Sequence, residues 1–277
     1  MVFAVAGATG NVGGALVRIL VDEGHEVRAI VRDGDAARKL PTGVVAVTGD
    51  LSDASGLDDA FDGADGAFLL SGYDDAGLVS AMRRGGVRRV ALLSSSAAPT
   101  GDLENAVAAY HIRSERALRS SGLGWTFLRP NAFMTNALSW AGAIRAGEPV
   151  VAPFADVAIA CNDPRDVADV ASVSLISGAY EEVAHRITGP EPLRPAEQVA
   201  IIGELLGREL PFRAQGDEEA RDDMSSRMPA EYVDAFFDFY VAGAVDETSV
   251  LPTVEQVTGR PPRTFRAWAE EHLTAFR

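Results

Sequence analysis

The stretch Val2-Phe3-Ala4-Val5-Ala6-Gly7-Ala8-Thr9-Gly10-Asn11-Val12-Gly13 decides the fold. Four apolar residues run straight into a glycine turn, and Val12, Ala15, Leu16, Ile19 and Leu20 then recur at the spacing of a helix with one buried face. A second apolar run, Val27 to Val31, follows Gly24-His25. Strand, glycine turn, helix and strand make a βαβ unit with a glycine-rich loop at the helix N-terminus. Such a loop lets backbone approach a pyrophosphate closely, and the free N–H groups and dipole of the helix favour its negative charge. Glycine at these spacings also serves tight turns for steric reasons alone. The strand before it and the amphipathic helix after it make dinucleotide binding the better account.

Outward from this unit, strands and helices alternate. Apolar runs predict strands at Val44–Thr48, Gly66–Leu70, Val87–Leu93 and Trp125–Leu128, with helices at Ser55–Phe61, 75–85 and Glu104–Ser121 between them. Alternation of this kind predicts an α/β fold: a Rossmann-type, doubly wound parallel sheet with a ligand at the carboxyl ends of its strands. Past residue 132 the pattern changes. We expect helices over Phe133–Ala146, from Asp163-Pro164 onward, at 195–207, through the acidic aromatic stretch 216–244, and at Thr264–Phe276, with a strand at Val157–Ala160. The chain therefore divides as one domain, 1–277: residues 1–132 mainly the dinucleotide-binding core, and 133–277 mainly a small C-terminal α/β substrate lobe returning to the core around 157–178.

Composition narrows the function classes. A formal charge of −15 argues against nucleic acid, whose phosphates such a surface repels. The single cysteine, Cys161, rules out an internal disulfide, and the apolar residues around it suit core packing better than nucleophilic work. A first strand beginning at Val2 leaves no room for a signal peptide, and no apolar run reaches membrane-spanning length, so the cytoplasm is the expected location. His25, His111, His185 and His272 are scattered, without metal-ligand spacing, and we expect no metal. Of 25 basic residues only Lys39 is a lysine, so no catalytic lysine is on hand elsewhere. The expected partner is a small-molecule substrate; for assembly, monomer and homodimer stand equal.

Several blocks carry a family resemblance: GATGNVG at 7–13, Val31-Arg32, Gly49-Asp50-Leu51, SSSAA at 94–98, HIRSERAL at 111–118, SGLGWTFLRPNAFMTN at 121–136, DPRDVADVA at 163–171 and TGRPPRTFRAWAEEH at 258–272. Across nearly its whole length the chain resembles the atypical short-chain dehydrogenase/reductases of the NmrA-like group, which includes NAD(P)H-dependent quinone reductases and NADP-sensing regulators. The resemblance implies that Gly7, Gly10 and Gly13 shape the cofactor loop, with Thr9, Asn11 and Val12 facing the phosphates. Asp50 and Leu51 would hold adenine, although Asp50 also reads as a plain turn residue. Leu70, Ser71 and Gly72 would flank the ribose and nicotinamide, and Pro130, Asn131 and Phe133 the nicotinamide side.

Arg32 is the sharper expectation. A carboxylate at the end of the second strand holds the ribose 2′-OH of NAD and repels a 2′-phosphate, whereas an arginine pairs with it. NADP(H) is therefore expected over NAD(H), with Asp33 as a complication and a solvated surface arginine as the plainer alternative.

Departures from the pattern matter equally. The extended branch of this superfamily carries Tyr-x-x-x-Lys four residues before a Glu, then Leu. Aligned on Glu115 and Leu118, the lysine position holds His111 and the tyrosine position Val107. Tyr110 lies about 100° around the helix from His111, so it is no direct substitute. His111 is expected to contact the nicotinamide ribose and, less strongly, to relay a proton; packing against Glu115 at i+4 is the plainer alternative. Ser94 and Ser95 stand where a substrate-orienting serine or a simple turn residue would. The candidate catalytic set is His111, Ser95 and Tyr110, and the candidate substrate contacts are Phe133, Met134 and Trp140. For Phe236 and Phe239 core packing is the better account.

Two function classes follow: an oxidoreductase passing hydride from NAD(P)H to a small conjugated acceptor (quinone, enone or related carbonyl or imine), or a non-catalytic NADP(H) sensor. A sugar-nucleotide epimerase or dehydratase ranks third, because its chemistry leans on the missing tyrosine and lysine.

Overall fold

The computed structural model describes residues 1–277. The first half runs β1 (Val2–Val5), α1 (Asn11–Asp22), β2 (Glu26–Val31), α2 (Gly34–Ala37), β3 (Val45–Thr48), α3 (Asp58–Phe61), β4 (Gly66–Leu70), α4 (Asp75–Gly85), β5 (Arg89–Leu93), α5 (Ala106–Arg119) and β6 (Gly124–Pro130). The second half continues with α6 (Ala141–Ala146), β7 (Val150–Ala152), α7 (Pro164–Ser177), β8 (Val183–Ile187), α8 (Pro195–Leu206), β9 (Phe212–Ala214), α9 (Asp217–Ser225), α10 (Ala230–Tyr240), α11 (Thr253–Thr258) and α12 (Phe265–Glu271).

Seven strands form one parallel sheet in the order β3-β2-β1-β4-β5-β6-β8. The order reverses between β1 and β4, which opens a crevice at their carboxyl ends where such sheets take ligands. The inner strands β1, β2, β4, β5 and β6 are largely buried on both faces, so they read as apolar runs rather than alternations. On one face α1 and α7 pack together over Phe3, Val5, Val27, Phe68 and Leu128. On the other, α3, α4 and α5 cover Ala4, Ile30, Leu69, Leu92 and Phe127. The doubly wound fold expected from the alternation is thus what the chain adopts.

A third core holds the lobe, where Met134, Ile144, Val199, Ile202, Phe265 and Trp268 pack together. The lobe carries its own two-stranded parallel ribbon, β7 against β9. The aromatic helix α10 lies instead beside α5, with Phe239 against Ala97, Ala108 and Ile112.

Several expected elements are corrected. Val157–Ala160 forms no strand; only Ile159 makes an isolated bridge, to Leu193. The strand that completes the sheet is β8, whose Val183-Ala184-His185-Arg186 are only half-buried and do not read as an apolar run. The helix over 133–146 is a 3₁₀ segment, Met134–Trp140, leading into α6. The stretch 216–244 is two helices, because Pro229 starts a new one at α10. The last helix ends at Glu271, and Leu273–Phe276 tightens to a 3₁₀ turn. The helix at Asp163-Pro164 forms as expected, with Asp163 accepting from the Arg165 N–H and Pro164 at the first position.

Candidate active site

Two cavities meet along the carboxyl edge of the sheet. The first, about 470 Å³, lies over β1–β3 and is lined by Gly7, Thr9, Arg32, Asp50, Leu51 and Leu70, among others. The second, about 460 Å³, lies over β4–β6 beneath α10 and is lined by Leu70, Ser71, Ser94, Ser95, Tyr110, His111, Pro130, Asn131 and Phe133, among others. Leu70 and Tyr73 border both, so the two form one cleft across the switch point.

The glycine loop is built to hold something close to its backbone. Gly7 has φ +60, a conformation that side chains resist. A Cβ on Gly13 would stand 2.3 Å from the Gly7 carbonyl oxygen, so only glycine lets α1 start this close to the turn. Gly10 sits at the N-cap without any side-chain cap, and the first turn carries no acidic residue. The N–H groups of Asn11, Val12 and Gly13 therefore lack intrahelical partners and form the positive end of the helix dipole. Thr9, Gly10 and Asn11 are exposed at this loop, and the Asn11 Nδ2 donates to the Thr135 hydroxyl at 3.3 Å. The Val12 side chain is buried in the core, so only its backbone can face a phosphate. Such a cradle suits a pyrophosphate.

Arg32 is exposed at the end of β2 and lines the first cavity with Lys39, which the motif spacing did not single out. Asp33 is already engaged, its carboxylate accepting from the Ala36 N–H as the cap of α2. Its competition with Arg32 is thereby reduced. Asp50 uses one oxygen to accept from the Ser52 N–H, while Leu51 is buried against the sheet and still borders the cavity.

Over the second cavity, Ser71 donates to the Leu93 carbonyl and Gly72, at φ +88, packs under the Tyr110 ring. Val107 and His111, the positions of the missing tyrosine and lysine, both face this cavity. His111 makes no hydrogen bond or ion pair with Glu115. Glu115 instead accepts from the Ser94 hydroxyl at 2.7 Å and from Arg129 at 2.8 and 2.5 Å, all near the sheet. Ser94 is thus committed to holding α5 against β5, and Ser95 accepts from the Ala97 N–H. The His111 Nδ1 has no partner at all. Burial pushes the imidazole down to about 4, so it is neutral at ordinary pH and a relay near pH 6.5 loses its physical basis. It remains a hydrogen-bonding group in the cavity lining.

Tyr110 lines the cavity despite its offset on the helix, its ring 4.2 Å from that of His111. Burial and the neighbouring Tyr232 and Tyr73 push its phenol above the ordinary value, which makes it a reluctant acid. Pro130, Asn131 and Phe133 line the opposite side, where the Asn131 amide donates to the Glu247 carbonyl. Met134 is corrected: it is fully buried in the lobe core and borders neither cavity. Trp140 borders neither of these two cavities and lines an adjoining chamber, which shares Asn136, Phe236 and Tyr240 with the second. Phe236 faces the second cavity and Phe239 borders it while packing in the core, so these aromatics belong to the wall more than their spacing implied. Cys161 is buried and its thiol is pushed up to about 12, as a core residue should be.

Glu247 is the wall residue that motif logic missed. Its buried carboxylate accepts from the Ser96 hydroxyl at 2.6 Å and the Ala132 N–H at 3.2 Å. It arrives from a loop more than a hundred residues beyond β6, and a lone loop glutamate gives no periodic signal.

Comparison with known proteins agrees with this geometry. Residues 7–173 match the model of a family described as NAD(P)H-binding. The chain is 39% identical over 98% of its length to a (4-alkanoyl-5-oxo-2,5-dihydrofuran-3-yl)methyl phosphate reductase of Streptomyces griseus, covering 98% of that protein. It is 33% identical, with 98% of each chain covered, to an NAD(P)H azoreductase of Xenophilus azovorans. Among solved structures, an Escherichia coli NADPH-dependent quinone oxidoreductase complexed with NADPH superposes with a TM-score of 0.82 at 22% identity, over 98% of this chain and 99% of the other. That last likeness is one of fold.

Proposed function

The chain belongs to the NAD(P)H-binding family, as an NAD(P)H-dependent oxidoreductase of the NmrA-like group, and on that premise we propose that it reduces a small conjugated acceptor, a quinone, enone or related carbonyl or imine, with NADP(H) preferred. What carries this reading is the pair Val107 and His111, which line the cleft at the positions where a phenol that protonates an alkoxide and the ammonium that supports it would stand. Hydride addition to a simple ketone localises charge on one oxygen and calls for such a donor. Addition to a conjugated acceptor spreads the charge, so water or a weak donor completes the step.

The bound nicotinamide would supply the hydride. The residues of this chain bind and orient. The Gly7–Gly13 cradle holds the pyrophosphate, Arg32 pairs with the 2′-phosphate, and Asp50 and Leu51 border the adenine. Neutral His111 hydrogen-bonds the nicotinamide ribose without adding a charge to the cleft. Phe133 and Phe236 flank a flat acceptor, and α10 keeps water from its far side. The relatives' names support the acceptor class: an oxo-dihydrofuran and an azo compound are both conjugated.

The test is NADPH consumption with 4-deuterated cofactor against a panel of quinones, enones and azo compounds. Stereospecific deuteride transfer to a conjugated acceptor is expected, with negligible turnover of unactivated ketones and secondary alcohols. Saturable NADPH binding with no transfer to any of them would refute an acceptor of this class.

A further inference from the structure

A third chamber, of about 750 Å³, opens off the acceptor side of the cleft. Asn136, Phe236 and Tyr240 border both spaces, so the chamber continues the cleft rather than standing apart from it. Its apolar walls are Trp140, Phe154, Met224 and Met228, with the β7 edge residue Val151, an exposed large aliphatic side chain, also lining it; Ser139 and Gln215 are among the polar residues that complete the lining. Methionines are adaptable linings, able to follow an apolar chain of variable shape. Phe154 holds the left-handed conformation at φ +54, unusual for an aromatic residue. Its ring stands edge-on to Phe237 at 5.2 Å and tilted to Tyr240 at 5.0 Å, so these contacts hold the strained turn that walls the chamber.

The charges at the rim are already spoken for. Arg213 makes two bonds to Glu219, at 2.7 and 2.8 Å, and Arg227 pairs with Asp223. Each arginine is thus matched by a carboxylate, and the chamber rim carries no excess positive charge from this pair of residues.

We infer that the acceptor carries an uncharged apolar tail, an alkyl chain of several carbons, which lies in this chamber while the conjugated head sits beside Phe133. The inference rests on the proposed reduction and adds a specificity determinant to it. Phe236 and Tyr240 form the sill between head and tail.

The experiment uses 2-methyl-, 2-butyl- and 2-octyl-1,4-benzoquinone, whose rings are electronically alike. kcat/KM is expected to rise about two- to fourfold per methylene through the butyl compound, mainly through KM. In Met228→Ala the butyl-to-methyl ratio should fall several-fold. Phe154→Gly, which suits the left-handed turn and so keeps the backbone, should lower the same ratio. A flat series in the unmodified protein, or variants that lower both substrates equally, would overturn the tail site while leaving the reductase reading intact. No oxidation of NADPH with any quinone, enone or azo compound would overturn the reductase reading and the tail site with it.

Discussion

Arg32 and His111 show what a single side chain decides in this cleft. Arg32 is exposed and makes no ion pair, and Asp33 is turned into a helix cap, so the guanidinium is free for a 2′-phosphate. A charge-assisted bond of this kind is worth about 1.5–3 kcal/mol, so NADPH should bind about ten- to a hundredfold more tightly than NADH. Arg32→Ala should shrink that margin, and equal affinities of the two cofactors in titration calorimetry of the unmodified protein would contradict it. His111 gives a pH signature instead. Its imidazole falls from 6.5 to about 4 on folding, so between those values the unfolded chain binds a proton that the native ring refuses. Stability from this group is therefore full above about pH 6.5 and is lost as pH falls toward 4. Urea unfolding at pH 7 and pH 4.5 should show the unmodified protein losing about 2 kcal/mol more than His111→Gln. Identical losses would mean the ring is not held neutral. The spacing of Glu115 and Leu118 located His111 and Val107 in advance; the ring's desolvation could not be read there, because it depends on what packs across the cleft.

At the scale of elements, legibility followed locality. The βαβ unit was plain because α1 carries its own stripe and its glycines sit at fixed offsets from β1. The α7 cap was plain for the same reason, with Asp163 and Pro164 in place. By contrast β8 is an edge strand whose first four residues are half-buried, and β7 and β9 have three residues each, too short for a periodic signal. Val157–Ala160 misled because apolar content alone does not make a ladder. The α1 start yields a prediction. In Gly13→Ala the methyl would meet the Gly7 and Ala6 carbonyl oxygens at 2.3 and 2.8 Å, both backbone atoms that cannot swing aside. The helix must back away from the turn, costing about 1–3 kcal/mol in thermal or urea unfolding and weakening NADPH at least tenfold. An alanine variant with unchanged cofactor affinity would show that the cradle does not depend on that close approach.

Across the whole molecule, the packing crosses residue 132. The first half ends at β6, yet its sheet is completed by β8 and one of its faces is covered by α7, both from the second half. Val167, Ala168, Val170, Ala171 and Ile187 are fully buried in the same core as Phe3, Leu16 and Phe68. The site crosses the boundary too, since Phe236, Tyr240 and Glu247 complete a cavity founded on β4–β6. These residues escaped motif logic because nothing local marks them; only the chain's return to the carboxyl edge brings them there. A single cooperative unit is the physical consequence. A fragment of residues 1–132 would leave the α1 face of the sheet open to water where five small or branched apolar side chains now fill it. Burying side chains of this kind contributes roughly 1.5–3 kcal/mol apiece for the larger ones, together comparable to the whole stability of a domain. The full chain should therefore melt in one transition, with near- and far-ultraviolet circular dichroism coincident, and the 1–132 fragment should show no cooperative melt and should bind dye specific for exposed apolar surface. Were the fragment to unfold cooperatively and bind NADPH on its own, the second half would be an appended lobe and α7 and β8 dispensable to the core.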